Sequence, residues 1–282
     1  MNNININKKK SILYIVPTPI GNIYDITYRA VYILKNVDII LAEDKRKTGI
    51  ILKNFSINTN MISLNSYNEK NKTNDLILKL KKGKNIAIVS DAGTPLINDP
   101  GSYLVKCCIK EKILIIPLPG PCAAITALSA SGLYTNKFCY EGFLPKKKNS
   151  RLNYLKILKK ENRTIIIYES RYRLINTLID IKKILGENRS IVIVKELTKT
   201  WEYIKRTNIK NLLIWLQKNK NFILGEIILI IEGCNKNNID SLKKALKFLK
   251  VLHNYLPIKK SIKIISNLYK IKKNILYKNY IV

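Results

Sequence analysis

Short apolar runs alternate along this chain with stretches whose apolar residues recur at helical spacing. Ser11–Val16, Asp38–Ala42, Ile62–Leu64, Ile86–Val89 and Ile113–Ile116 are brief and rich in β-branched residues, and read as buried strands. Between them the pattern predicts helices. Thr27–Asn36 has Ile26, Ala30, Ile33 and Leu34 at helical spacing, and Ile50–Phe55 forms a short helix. Asn71–Lys82 carries Leu76, Ile77 and Leu80 on one face, with Gly83 as its stop. Tyr103–Ile109 and Ala124–Ser131 complete the set. Strands alternating with helices imply βαβ units and a mainly parallel sheet.

The pattern changes near Asn136, where the apolar, aromatic stretch Phe138–Leu144 leads into a lysine run. A second α/β unit follows: helix Arg151–Lys160, strand Thr164–Tyr168, helix Leu174–Leu185, strand Ser190–Val194 and strand Ile227–Ile231. Between Thr198 and Gly225 only Leu212, Leu213 and Leu216 suggest a short helix. Beyond Asn237 the residues are mostly Lys, Leu, Ile and Asn, enough for two or three short helices, with Leu256-Pro257 as a turn and Ser261 as a helix cap. The expected organisation is a disordered tail at 1–10, an N-terminal α/β domain at 11–135, a second α/β domain at 136–236 and a basic helical unit at 237–282.

Breakers concentrate at one place in this scheme. Seven of the nine prolines fall in the loops after the first, fourth and fifth strands: PTPIGN from Pro17, SDAGTPLINDPG from Ser90, and PLPGPCAA from Pro117. A single glycine/proline loop reads as a surface turn. Three of them at the carboxyl ends of parallel strands read as an edge built for close approach to a ligand.

Charge adds a partner class. The 51 basic and 19 acidic residues give a net charge of +32, which favours a polyanion such as nucleic acid. An A/T-rich coding bias, visible in the wealth of Lys, Asn, Ile and Tyr, accounts for the total equally well. Its placement is more telling: no acidic residue follows Asp240, whereas eleven lysines do. Five cysteines without a CxxC pair exclude a disulfide framework and a zinc site, and the single histidine, His253, leaves no histidine chemistry for the body of the protein. No apolar run approaches the ~20 residues of a membrane helix and no signal peptide is apparent, so a cytoplasmic location and no membrane partner are expected.

The blocks LYIVPTPIGNIYDIT, LAEDKRKT, SDAGTPLINDPG, PLPGPCAAITALSASGL, EGFLPKKK, YESRYRL, KELTK and GEIILIIEG occur in that order. Together they resemble the ribosomal RNA small-subunit methyltransferase I family of the tetrapyrrole-methylase-like superfamily. The resemblance implies two α/β domains with S-adenosylmethionine (SAM) in the cleft between them, a helix-turn-helix-like C-terminal unit and a homodimer. It implies 2′-O-methylation of a cytidine ribose in the decoding centre of 16S rRNA, within the small ribosomal subunit. Matching positions for the cofactor are Pro17, Pro19, Ala92, Gly93, Thr94, Ile97, Cys122, Ala123, Glu169 and Thr198. Small residues let main-chain groups reach the cofactor, and a carboxylate such as Asp91 or Glu169 suits ribose hydroxyls or an ammonium.

The chain departs from the family pattern at Lys45, Lys47, Arg171 and Tyr172, and Cys122 stands where serine is common. The basic replacements suit phosphate, so Lys45, Arg46, Lys47, Lys146, Lys147, Lys148, Arg151, Arg171 and Arg173 are the expected RNA contacts. Methyl transfer to a hydroxyl profits from a general base. Without histidine the candidates are Asp25, Glu43, Asp44, Asp91, Asp99 and Glu169, with Asp91, Glu43 and Asp44 foremost. Two other functions stay open: a methylase of a tetrapyrrole precursor, which needs no basic surface, and an RNA-binding or ribosome-assembly module without activity. No metal site is expected.

Overall fold

The computed structural model describes residues 11–234, 238–269 and 271–280; the N-terminal ten residues, expected from sequence to be disordered, lie outside the described residues. Strands β1 (Ile12–Ile15), β2 (Ile39–Ala42), β3 (Met61–Ser63), β4 (Ile86–Val89) and β5 (Leu114–Pro117) form one sheet in the order β3-β2-β4-β1-β5. Every pairing in it is parallel. Both β2 and β4 are buried at each position, as expected where helices cover both faces of a parallel sheet. The covering helices are α1 (Tyr28–Asn36), α2 (Lys45–Asn54), α3 (Glu69–Lys81), α4 (Ser102–Lys110) and α5 (Ala123–Ser129). One face packs Leu41, Leu76, Leu80, Ile88 and Leu104; the other packs Leu34, Ile40, Leu52, Ala87 and Val89. Because β4, β1 and β5 are neighbours, the three proline/glycine loops leave the sheet side by side.

The start of α2 corrects the sequence reading, which placed the helix at Ile50. Asp44 caps it by accepting from the Arg46 amide at 2.9 Å, so Lys45–Lys47 belong to its first turn and not to the loop. Helix α4 lacks a side-chain cap of its own because Gly101 precedes it. Buried Glu69 on α3 supplies one instead, accepting from the amides of Tyr103 at 2.8 Å and Leu104 at 2.9 Å. Glu69→Ala should therefore lower stability by about 1–3 kcal/mol, read by urea denaturation, with Glu69→Gln losing less because one acceptor oxygen remains.

The second sheet runs β6-β7-β10-β8-β9, from β6 (Phe138–Phe143), β7 (Thr164–Glu169), β8 (Ser190–Lys195), β9 (Tyr203–Asn208) and β10 (Ile227–Ile231). It is mixed: β6 pairs with β7 in parallel, and the other three pairings are antiparallel. Helices α6 (Lys148–Leu158), α7 (Leu174–Leu185) and α8 (Ile209–Lys218) lie with it. The aromatic stretch that carried no element in the sequence reading is β6. Strand β9 lay in the segment without a clear stripe; it is an edge strand in which Tyr203 and Ile204 are followed by four polar residues, and an edge needs no apolar run.

The two sheets meet through α5. Its Ala124, Ala127 and Leu128 pack with Ile20 against Ile166, Val192, Ile228 and Ile230 of the second sheet. Small side chains on α5 let the helix approach the sheet closely, and this apolar seam holds the two units together. The C-terminal unit contains α9 (Asn238–His253), α10 (Ile258–Tyr269) and α11 (Lys273–Tyr280), with its own core of Ala245, Leu249, Ile262, Ile265, Ile271 and Leu276. Ser261 is not a cap: α10 already begins after Pro257, and the buried Ser261 hydroxyl donates back to Leu256 O at 3.2 Å. Among the described residues no helix is long and apolar enough to cross a membrane.

Candidate active site

Hydrogen bonds stitch the strand-end loops into one wall. Thr18 and Gly93 exchange two main-chain bonds of 2.9 Å, and the Thr18 hydroxyl donates to Ser90 O at 3.0 Å. Thr94 Oγ1 donates to Pro121 O at 2.9 Å, tying the second loop to the third. Asp91 ties in the loop after β2, accepting from the Asp44 amide at 2.9 Å and from Lys47 Nζ at 2.7 Å. The first loop also reaches the second sheet, where the Asn22 amide donates to Thr198 Oγ1 at 3.1 Å.

Between this wall and the second sheet lies a cavity of about 640 Å³, within the range of ~300–1,000 Å³ typical of small-molecule sites. Ala92, Gly93, Thr94, Ile97, Cys122 and Ala123 line one side. Phe143, Tyr168, Val194, Leu197 and Ile228 line the other, while Asp99, Arg171, Glu196 and Lys199 supply polar groups. Gly93 adopts φ +82°, and a Cβ there would stand 3.3 Å from Ile20 Cγ2. A side chain at this position would occupy the space where the main chain approaches the cavity.

Of the positions the sequence pointed to as cofactor contacts, Ala92, Gly93, Thr94, Ile97, Cys122, Ala123 and Glu169 line the cavity. Pro17 and Pro19 are buried behind the wall, and Pro17 packs where a Cβ on Gly120 would be. Asp91 and Thr198 act as ties between loops. Glu169 borders the cavity, but its carboxylate is fully enclosed. It accepts from the Ser170 amide at 2.7 Å and Thr177 Oγ1 at 2.6 Å and pairs with Arg173 at 2.8 Å. That shapes the turn from β7 into α7 and leaves no oxygen for a ligand.

The candidate catalytic carboxylates divide in the same way. Asp44 holds Arg46 through two oxygens, and that guanidinium lowers its pKa to about 2. Both oxygens of Asp91 are occupied. Burial pushes Glu43 up, and the neighbouring Asp91 charge adds to it. Asp99 lines the cavity; burial, then the charge of Glu43, raise its pKa to about 6. Asp25 follows the first loop in a short 3₁₀ turn.

Two expected RNA contacts are corrected. Arg151 is buried, with Nε and Nη2 donating to Asp180 Oδ2 at 2.9 and 2.7 Å and Nη1 to Lys146 O at 3.2 Å. Arg173 is held by Glu169 and by Leu144 O at 3.1 Å. The sequence around Arg151 gave no sign of this, because Asp180 lies a helix away. Lys45, Arg46, Lys47, Lys146, Lys147, Lys148 and Arg171 are exposed.

Comparison with known proteins gives this arrangement a lineage. The family described as Tetrapyrrole (Corrin/Porphyrin) Methylases matches residues 12–213. A ribosomal RNA small subunit methyltransferase I of Buchnera aphidicola subsp. Schizaphis graminum is 53% identical over 100% of this chain and 98% of its own length. One from Escherichia coli O157:H7 is 51% identical over 94% of this chain and 93% of its own. The chain belongs to the ribosomal RNA small subunit methyltransferase I family. Solved structures extend the fold outward from this family. A diphthine synthase shares 13% identity at a TM-score of 0.63, covering 79% of this chain and 90% of its own. A cobalt precorrin-4 methyltransferase shares 17% at 0.56, covering 78% and 94%. Membership of the small subunit methyltransferase I family makes the chain a methyltransferase, and the cavity between the sheets is its candidate active site.

Proposed function

We propose that this protein transfers the methyl group of SAM to the ribose 2′-oxygen of a cytidine in 16S ribosomal RNA, acting in the cytoplasm as a homodimer. The observation that carries the reading is the half-enclosed cavity at the seam of two sheets, walled by the main chain of three tied loops. The residues present fit SAM: the Ala92–Thr94 backbone offers polar groups where Gly93 carries no side chain, and Phe143, Tyr168 and Val194 offer an apolar surface to a ring. SAM supplies a methyl group already activated on sulfonium, so the protein's task is alignment, worth several kcal/mol of the barrier. The ties at Thr18–Gly93, Thr94–Pro121 and Asp44–Asp91 hold the wall rigid for that purpose.

RNA is proposed to lie across Lys45, Arg46, Lys47, Lys146, Lys147, Lys148 and Arg171, with the lysines of the C-terminal unit adding phosphate contacts. The test is transfer of tritiated methyl from SAM to small-subunit rRNA. Label should appear in a dinucleotide resistant to alkali, because a methylated 2′-oxygen can no longer attack the adjacent phosphate. Label on a tetrapyrrole precursor in place of rRNA, or SAM binding without transfer, would refute the reading. Affinity for rRNA should fall steeply with salt, and deleting residues 238–282 should weaken it by at least about tenfold while reducing the salt slope. The deletion removes a self-contained core and leaves the two sheets' clusters whole. Unchanged affinity would remove the C-terminal unit from the interface.

A further inference from the structure

We infer that Tyr172, backed by Arg171, is the surface on which the base of the nucleotide being methylated stacks. The assignment deepens the methyl-transfer reading above and rests on it. The target 2′-oxygen must reach SAM, whereas a cavity of about 640 Å³ suits one ligand of SAM's size. The base on the same ribose is therefore left at the mouth, out of its own stack, with its faces open to water. RNA-binding proteins hold such a base on an aromatic ring or a guanidinium plane. Tyr172 offers the ring and Arg171 the guanidinium, and both line the cavity. Other strongly exposed tyrosines, Tyr24, Tyr28, Tyr67 and Tyr255, do not line it. Phe143 does, but its ring packs edge-on against Tyr168 with centroids 5.8 Å apart and belongs to the wall. Tyr172 stands 79% exposed at the rim.

The ring is held ready for this. The Arg171 guanidinium lies over it, 4.6 Å from the ring centroid, and donates to the Tyr172 hydroxyl. A cation on one face fixes the ring and leaves the opposite face to a ligand. Both residues ride on the turn from β7 into α7, closed by the Arg173 and Leu174 amides, which donate to Ser170 O at 3.1 Å. The enclosed Glu169 carboxylate pins that turn from inside, through the Ser170 amide, Thr177 and Arg173. A ring fixed by such a frame loses little freedom on binding, so more of the stacking energy appears as affinity. The surroundings carry the matching charge. Arg173 also donates to Leu144 O, and Arg151 to Lys146 O, which holds the exposed Lys146–Lys148 run beside the turn. The two arginines withdrawn from RNA thus position the groups that face it, lysines for phosphate and Tyr172 for the base. Stacking tolerates any base, so Tyr172 positions the nucleotide and does not select it.

The experiment is a double-mutant cycle between protein and RNA. Tyr172→Leu keeps an apolar side chain and removes the ring. Small-subunit rRNA ligated from synthetic pieces carries either the normal nucleotide or an abasic ribose at the position that takes label, so the reacting hydroxyl is present in both. In single-turnover transfer at subsaturating RNA, Tyr172→Leu should lose roughly 5–140-fold on normal RNA, the factor that corresponds to one stacked base. Wild type should lose a similar factor on the abasic RNA. Tyr172→Leu should then lose no more than about threefold further, because the contact is already gone. Tyr172→Phe keeps the ring and should recover most of the loss. In Tyr172→Leu the melting temperature and the SAM affinity by calorimetry should hold. The slope of rRNA affinity against salt should hold as well, since a stack releases no counterion. Losses that multiply around the cycle overturn the assignment and leave the methyl-transfer reading standing. So does a Tyr172→Phe variant no better than Tyr172→Leu. A loss of SAM affinity in Tyr172→Leu that matches its loss of rate places the ring against the cofactor, and overturns the assignment too. A wild type that binds SAM and leaves the normal RNA unlabelled, free or within the reconstituted subunit, removes the methyl-transfer reading and the assignment with it.

Discussion

Asp180→Ala should destabilise the protein by about 3–5 kcal/mol, since it strands the Arg151 guanidinium without a counter-charge in the interior. Both side chains are only 5% exposed, and the pair joins α6 to α7 through two bonds to one oxygen. Coulomb attraction at such burial only offsets the cost of taking two ions from water. The large effect comes from breaking the pair and not from its net worth. The double variant Arg151→Met/Asp180→Leu should accordingly regain most of the loss. Urea denaturation of the three variants checks this, and a loss below about 1 kcal/mol for Asp180→Ala would show that the guanidinium finds water. The same variants test the placement of Arg151. A buried arginine makes no phosphate contact, so rRNA affinity and its salt slope should be unchanged in the double variant, whereas loss of one phosphate contact would lower the slope by almost one.

Gly93→Val should cost at least about tenfold in SAM affinity, measured by calorimetry. Two effects combine. A side-chain-bearing residue at φ +82° pays about 1–2 kcal/mol for left-handed backbone. Its Cβ also meets Ile20 at 3.3 Å, so the branched methyls enter the space of the cavity wall. The first effect is felt mainly as stability and the second as binding, and a control separates them. Gly83 has φ +88° with open space where its Cβ would be, and lies at the end of α3 away from the cavity. Gly83→Val should lower the melting temperature comparably and leave SAM affinity intact. Equal loss of affinity in both variants would mean that Gly93 matters for folding and not for the ligand.

Much of this was legible in the residues themselves. Strands β4 and β10 and helix α7 have the bounds that their apolar patterns predict. Central strands and amphipathic helices carry their burial in sequence periodicity. The loop edge was legible for the same local reason: glycine and proline state their backbone requirements wherever they stand. SDAGTPLINDPG could thus be read as a ligand wall, and Ala92, Gly93, Thr94 and Ile97 do line the cavity. Less visible was β9, an edge strand whose partner β8 supplies the burial that its own polar residues lack.

What tertiary structure alone decided is the occupation of each charged group. In the sequence Asp44, Asp91, Asp99 and Glu169 are four candidate carboxylates, and Arg151 and Arg173 are two more cations in a basic chain. Asp44 and Arg173 find partners within four residues, Arg46 and Glu169, but the others depend on partners farther along the chain: Lys47 for Asp91, Thr177 for Glu169, Asp180 for Arg151. No periodicity encodes these pairings, because an ion pair needs only two side chains to meet and sets no rule for the residues between them. Among the described residues only Asp99 of these four pairs with no cation and lines the cavity, and that distinction exists only once β4, β6 and β7 have been brought together.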